Sequence, residues 1–159
     1  LERSIHTARN REGKAEAAYA FASYYYKHGL LLLYNDALWD YQRIWSLSSW
    51  WNVKHATKED IAAVRRHLYD HDVYAYSMKL CLDVARRYPG TKAAPKALYR
   101  AACSAHHLAS LNHRWEDEAK RIGLIDKSVN YLRSLAKAYP RDKLAHSARK
   151  YAAVFERGE

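Results

Sequence analysis

The chain has 159 residues, 49% of them hydrophobic, which is enough for one domain with a buried core and too apolar for compositional disorder. Five glycines and three prolines leave few breakers for an all-β design with many tight turns, and good helix formers dominate long stretches. The formal net charge of +10 favours polyanionic partners, whether nucleic acid, an anionic membrane surface or an acidic protein, but no block of five or six like charges reads as a nucleic-acid arm.

The expected fold is therefore all-α, as one domain over residues 1–159. No run approaches the ~20 apolar residues needed to cross a bilayer; the longest apolar cluster is Leu30 to Tyr34. No signal peptide is visible. Because residue 1 is Leu and not Met, the chain is read as an excerpt of a larger protein or a processed product.

Leu1 to Glu12 is polar and is read as the tail of a preceding helix, continuing into Gly13. From Lys14, Ala18, Phe21, Ala22 and Tyr25 follow the i, i+3, i+4, i+7 spacing of one helix face, with Gly29 as its stop. Leu31, Tyr34, Leu38, Tyr41 and Trp45 predict a second, antiparallel helix. Thr57 and Asp60 form a capping box before a third helix marked by Ile61, Val64 and Leu68. A fourth helix is predicted from Val73 to Arg87, presenting Tyr74, Ser77, Leu80, Cys81 and Val84 and ending at Tyr88-Pro89-Gly90. A fifth runs from Ala93 to Leu111, a sixth from Leu124 to Tyr139 and a seventh from Lys143 to Glu156, with Trp115 to Arg121 as an extension or linker.

Internal similarity is the most informative signal. Tyr88-Pro89 recurs as Tyr139-Pro140, 51 residues downstream. At the same offset Lys92 matches Lys143, Ala94 matches Ala145, Ala97 matches Ala148, and Ala101-Ala102 matches Ala152-Ala153. Upstream, Ser77 matches Ser128, Val84 matches Leu135 and Ala85 matches Ala136. Small residues at helical spacing let two helices approach closely, and Tyr-Pro ends one helix and aims the next.

The string from Tyr88 to Ala102 resembles the tetratricopeptide-repeat family, in the form common in bacterial envelope proteins: a Tyr-Pro, then Thr91, Ala94, Ala97, Tyr99 and Ala102 in order. The second copy matches through Pro140, Asp142, Ala145, Ala148 and Ala153, with Lys150 in place of the aromatic. The resemblance implies antiparallel helix pairs stacked as an irregular right-handed superhelix of about seven helices, with a groove for a partner, and a periplasmic or envelope setting. A standard repeat spans ~34 residues, so a spacing of 51 implies lengthened helices or an inserted element between Leu108 and Gly123.

Candidate chemistry is sparse. His67 and His71 have the i, i+4 spacing that can place two imidazoles on one metal, but the intervening glutamate of a zinc-hydrolase motif is missing. His106, His107 and His113 form a second cluster whose adjacent members point in different directions. No Ser, Cys or Thr has a nucleophile context, no phosphate-cradling loop occurs, and two cysteines, Cys81 and Cys103, set no disulfide framework. No enzyme activity, metal or cofactor is expected. Aromatic residues are the functional lead, because Tyr24-Tyr25-Tyr26 and Trp50-Trp51 cannot all sit on one buried stripe. The expected function is a helical-repeat module that binds a protein or peptide, with Tyr25, Trp51, Tyr99, Arg100 and His106 as contacts to an acidic segment. The alternatives are a basic nucleic-acid-binding domain and a structural spacer.

Overall fold

The computed structural model describes residues 2–32, 57–60, 62–63, 66, 72–113 and 118–157, and among these the only regular secondary structure is helix. Six helices are described from end to end: α1 (Glu2–Thr7), α2 (Arg11–Leu32), α3 (Val73–Arg87), α4 (Ala93–His113), α5 (Glu118–Ala138) and α6 (Lys143–Arg157). The all-α expectation holds.

The N-terminal segment departs from expectation. It is not the tail of one helix running into Gly13; α1 ends at Thr7 and a new helix begins at Arg11. Asn10 makes the break, because its Oδ1 accepts from Gly13 N at 2.7 Å and so caps α2. At the other end, α2 continues through Gly29 to Leu32. A glycine inside a helix costs only about 1 kcal/mol relative to alanine, too little to end it. The predicted second helix from Tyr34 onward, Trp50, Trp51 and the His67–His71 pair lie outside the described residues. The Thr57 capping box is present, with Asp60 Oδ2 accepting from Thr57 N at 2.9 Å and Thr57 Oγ1 accepting from Asp60 N at 3.1 Å.

From Val73 onward the predicted elements are found, with one helix longer than expected. α3 is capped by Asp72, whose Oδ1 accepts from Tyr74 N at 2.6 Å and Ala75 N at 3.2 Å. After Tyr88, Gly90 takes a φ of +79°, the left-handed conformation that reverses the chain without a Cβ clash. α5 begins at Glu118, six residues before the predicted Leu124, and runs through Gly123 as helix. α4 and α5, of 21 residues each against 15 for α3 and α6, take up the long repeat spacing.

Backbone bonding repeats at the 51-residue offset. Tyr88 N donates to Val84 O at 3.0 Å and Tyr139 N to Leu135 O at 2.9 Å. Ala94 N donates to Thr91 O at 3.2 Å and Ala145 N to Asp142 O at 2.9 Å. Two buried serines repeat a tertiary bond as well. Ser77 Oγ donates to Ala22 O on α2 at 2.8 Å, and Ser128 Oγ donates to Ala102 O on α4 at 2.9 Å.

These contacts arrange the helices in two layers. α2, α4 and α6 form one row, and α3 and α5 pack antiparallel between them, α3 on α2 and α4, α5 on α4 and α6. The core is built on alanine: Ala93, Ala94, Ala97, Ala101, Ala102 and Ala105 of α4 are buried, as are their counterparts Ala145, Ala148 and Ala152 of α6. Side chains this small bring helix axes to the short end of the usual 8–10 Å. Val84, Leu124, Leu132 and Leu135 supply the larger apolar volume. Ala153, the counterpart of buried Ala102, is exposed, since no described helix covers that side of α6.

Candidate functional site

α2 and α4 lie parallel in a register 80 residues apart. Lys92 N donates to Glu12 Oε1 at 2.9 Å, and Lys96 Nζ pairs with Glu16 at 2.9 Å. One residue off this register, Tyr19 and Tyr26 are set against Arg100 and His107. α6 flanks α4 on the other side, so side chains from three helices of one row meet along α4.

There they enclose an open cleft of about 190 Å³. Tyr99, Cys103, His106 and His107 of α4 line it, with Tyr26 of α2 and Tyr151 and Phe155 of α6 as walls and Leu132 of α5 at the base. The rings pack against one another. His106 stacks on Phe155 with centroids 4.3 Å apart and planes 6° apart, while His107 stacks on Tyr74 at 4.6 Å and 12°. Tyr26 stands edge-on to both Tyr74, at 5.4 Å, and His107, at 5.6 Å. The adjacent histidines thus reach opposite neighbours, as the ~100° step between successive helical residues requires.

The cleft is uncharged near neutral pH. Burial lowers the imidazole pKa of His106, helped by neighbouring His107. Partial burial lowers that of His107 too, with Asp72 opposing. Burial raises the Cys103 thiol, which keeps it protonated and a poor nucleophile. It also raises the phenols of Tyr26 and Tyr99. Cys81, fully buried on α3, is pushed up to about 12. Both thiols are free.

Arg100 stands behind this wall. Its guanidinium lies 4.2 Å from the Tyr26 ring centroid, with the Tyr19 hydroxyl close by. It makes no ion pair among the described residues, and its Nε, like His106 Nδ1, is buried without a hydrogen-bond partner among them.

Of the expected contacts, Tyr99 and His106 line the cleft and Arg100 backs it. Tyr25 belongs elsewhere: its ring sits between α2 and α3, 4.7 Å from Tyr76 and 5.2 Å from Phe21, because it points about 100° away from Tyr26. Trp51 lies outside the described residues. Tyr26, Tyr151 and Phe155 are cleft residues that the sequence reading did not single out. A second internal offset would have found Tyr26: Ala17, Tyr19 and Ala22 match Ala97, Tyr99 and Ala102 at 80 residues, which aligns Tyr26 with His106. Among the described residues no three His, Cys, Asp or Glu side chains converge on one point. No family model, curated protein or solved structure matches the chain.

Proposed function

We propose that the chain is a non-enzymatic helical-repeat module, of the tetratricopeptide type, that holds a segment of a protein partner with one aromatic or large aliphatic side chain seated between α2, α4 and α6. The observation carrying this is the solvent-open, uncharged, ring-walled cleft. Its volume of about 190 Å³ lies below the roughly 300–1,000 Å³ typical of drug-sized ligands, which favours a single residue-sized anchor. Tyr and Arg, two of the residue types that most often supply binding hot spots, flank it. The net charge of +10 favours an acidic sequence around the anchor.

The protonated Cys103 and the ring-stacked imidazoles support binding over catalysis, since neither is poised as nucleophile or base. A titration with N-acetylphenylalanine amide in the millimolar range tests the cleft directly. Saturable shifts of the His106 and His107 ring signals are expected, absent with N-acetylglycine amide and absent in Cys103→Phe, whose new ring fills the space. Equal shifts with the glycine derivative, or unchanged binding by Cys103→Phe, would contradict the proposal.

A further inference from the structure

The turns that lead into α2, α4 and α6 all lie at one end of the molecule. Arg11 Nη2 donates to Pro89 O at 3.1 Å, linking the start of α2 to the α3–α4 turn. Gly90 N lies 3.3 Å from the Tyr139 hydroxyl, linking that turn to the α5–α6 turn. They form one continuous edge.

Cations concentrate along it. Arg9, Arg11 and Lys14 are exposed at the first turn, and Arg86, Arg87 and Lys92 at the second. Lys137, Arg141 and Lys143 are exposed at the third. Three carboxylates share the edge and all are engaged. Asp83 pairs with Arg86 and Arg87, each at 2.7 Å. Glu12 takes Lys92 N at 2.9 Å and Asp142 takes Leu144 N at 2.8 Å. At the opposite end Arg121 is held by Glu118, much as Asp83 holds Arg86 and Arg87 here, which leaves Arg9, Lys14, Lys137, Arg141 and Lys143 as the edge's cations outside any ion pair among the described residues.

The charges also follow the repeat: Arg86 and Lys92 recur as Lys137 and Lys143 at the 51-residue offset. Recurring alanines and serines are explained by packing. Recurring exposed cations are not, because they touch no core.

We infer that this edge binds the phosphate backbone of duplex nucleic acid without regard to sequence. With row helices 8–10 Å apart, three turns span about 16–20 Å, a length over which duplex DNA presents a charge every ~1.7 Å. Single strands are disfavoured because, among the described residues, no Tyr, Trp or Phe ring is exposed along the edge for base stacking; Tyr88 and Tyr139 are half-buried. A bilayer is disfavoured because, among the described residues, no large apolar side chain is exposed along the edge to enter it. The surface is separate from the aromatic cleft and stands independently of it.

The test is fluorescence anisotropy with a 20-base-pair duplex of arbitrary sequence between 50 and 200 mM salt. Five to six phosphate contacts predict a slope of log K against log salt of about −5, a loss of about 10³-fold across that range. Arg141→Glu with Lys143→Glu is expected to weaken binding at least tenfold with an unchanged helical spectrum, whereas Lys127→Glu, an exposed lysine midway along α5, is expected to cost much less. A slope shallower than −2, equal binding by the turn variant, or tighter binding to a single strand or to phosphatidylserine vesicles at matched phosphate would overturn the inference. Because the cleft is untouched by these substitutions, a failure here leaves the N-acetylphenylalanine amide result as it stands.

Discussion

Single residues carry much of the repeat. Ser77 and Ser128 occupy equivalent places and bond equivalent carbonyls, so Ser77→Ala and Ser128→Ala should each cost about 1 kcal/mol in urea unfolding, within about 0.5 of each other. Markedly unequal losses would mean that the two bonds are not structural equivalents. Glycine gives a contrast in sign. At Gly90 an added Cβ meets nothing within 4 Å, but φ is +79°, so Gly90→Ala should destabilise by about 1 kcal/mol through the backbone alone. Gly123 is helical with equally open surroundings, and Gly123→Ala should stabilise by about 0.5–1 kcal/mol. The imidazoles set a pH dependence. Burial holds His106 below the ordinary histidine value, so the unfolded chain binds the extra proton first as pH falls. Stability is therefore full above about pH 6.5 and declines below it. The melting temperature should drop more between pH 7.5 and 5.5 in the wild type than in His106→Phe, which keeps the ring against Phe155 but cannot titrate; parallel drops would remove His106 as a source.

At the scale of elements, α3, α4 and α6 were legible because of their local signals: an apolar face at helical spacing in α3, the two Tyr-Pro turns, and alanines at helical spacing in α4 and α6. The starts of α2 and α5 and the end of α2 were misjudged, because Gly29 and Gly123 look like breakers and are tolerated inside helices. Tyr99 and His106, singled out from the sequence, line the cleft, and they stand on the helix that the repeat identifies most clearly. The rest of the cleft was not legible, because Tyr26, Tyr151 and Phe155 acquire a role only when helices distant in sequence become neighbours. Alanine packing makes a prediction of its own. Ala97 is fully buried between helices and Ala153 is exposed, so Ala97→Leu should lose about 1–3 kcal/mol by overpacking while Ala153→Leu stays within about 0.5. Similar losses at both sites in thermal or urea unfolding would contradict the two-layer arrangement.

For the molecule as a whole, the row of α2, α4 and α6 separates two properties along its length. The turn edge gathers exposed cations, and the cleft farther along the same helices presents neutral rings around His106. Among the described residues no helix is long and apolar enough to cross a membrane. The central claim is that the cleft recognises one bulky side chain of a protein segment. It is tested most directly by selecting from a random peptide library on the immobilised wild-type chain and counter-screening on Cys103→Phe. Enriched peptides should share one aromatic or large aliphatic residue beside acidic ones, and should bind Cys103→Phe about 30- to 1,000-fold more weakly, the loss expected of a hot spot worth roughly 2–4 kcal/mol. Peptides with no shared bulky residue, or with equal affinity for the filled cleft, would contradict the account.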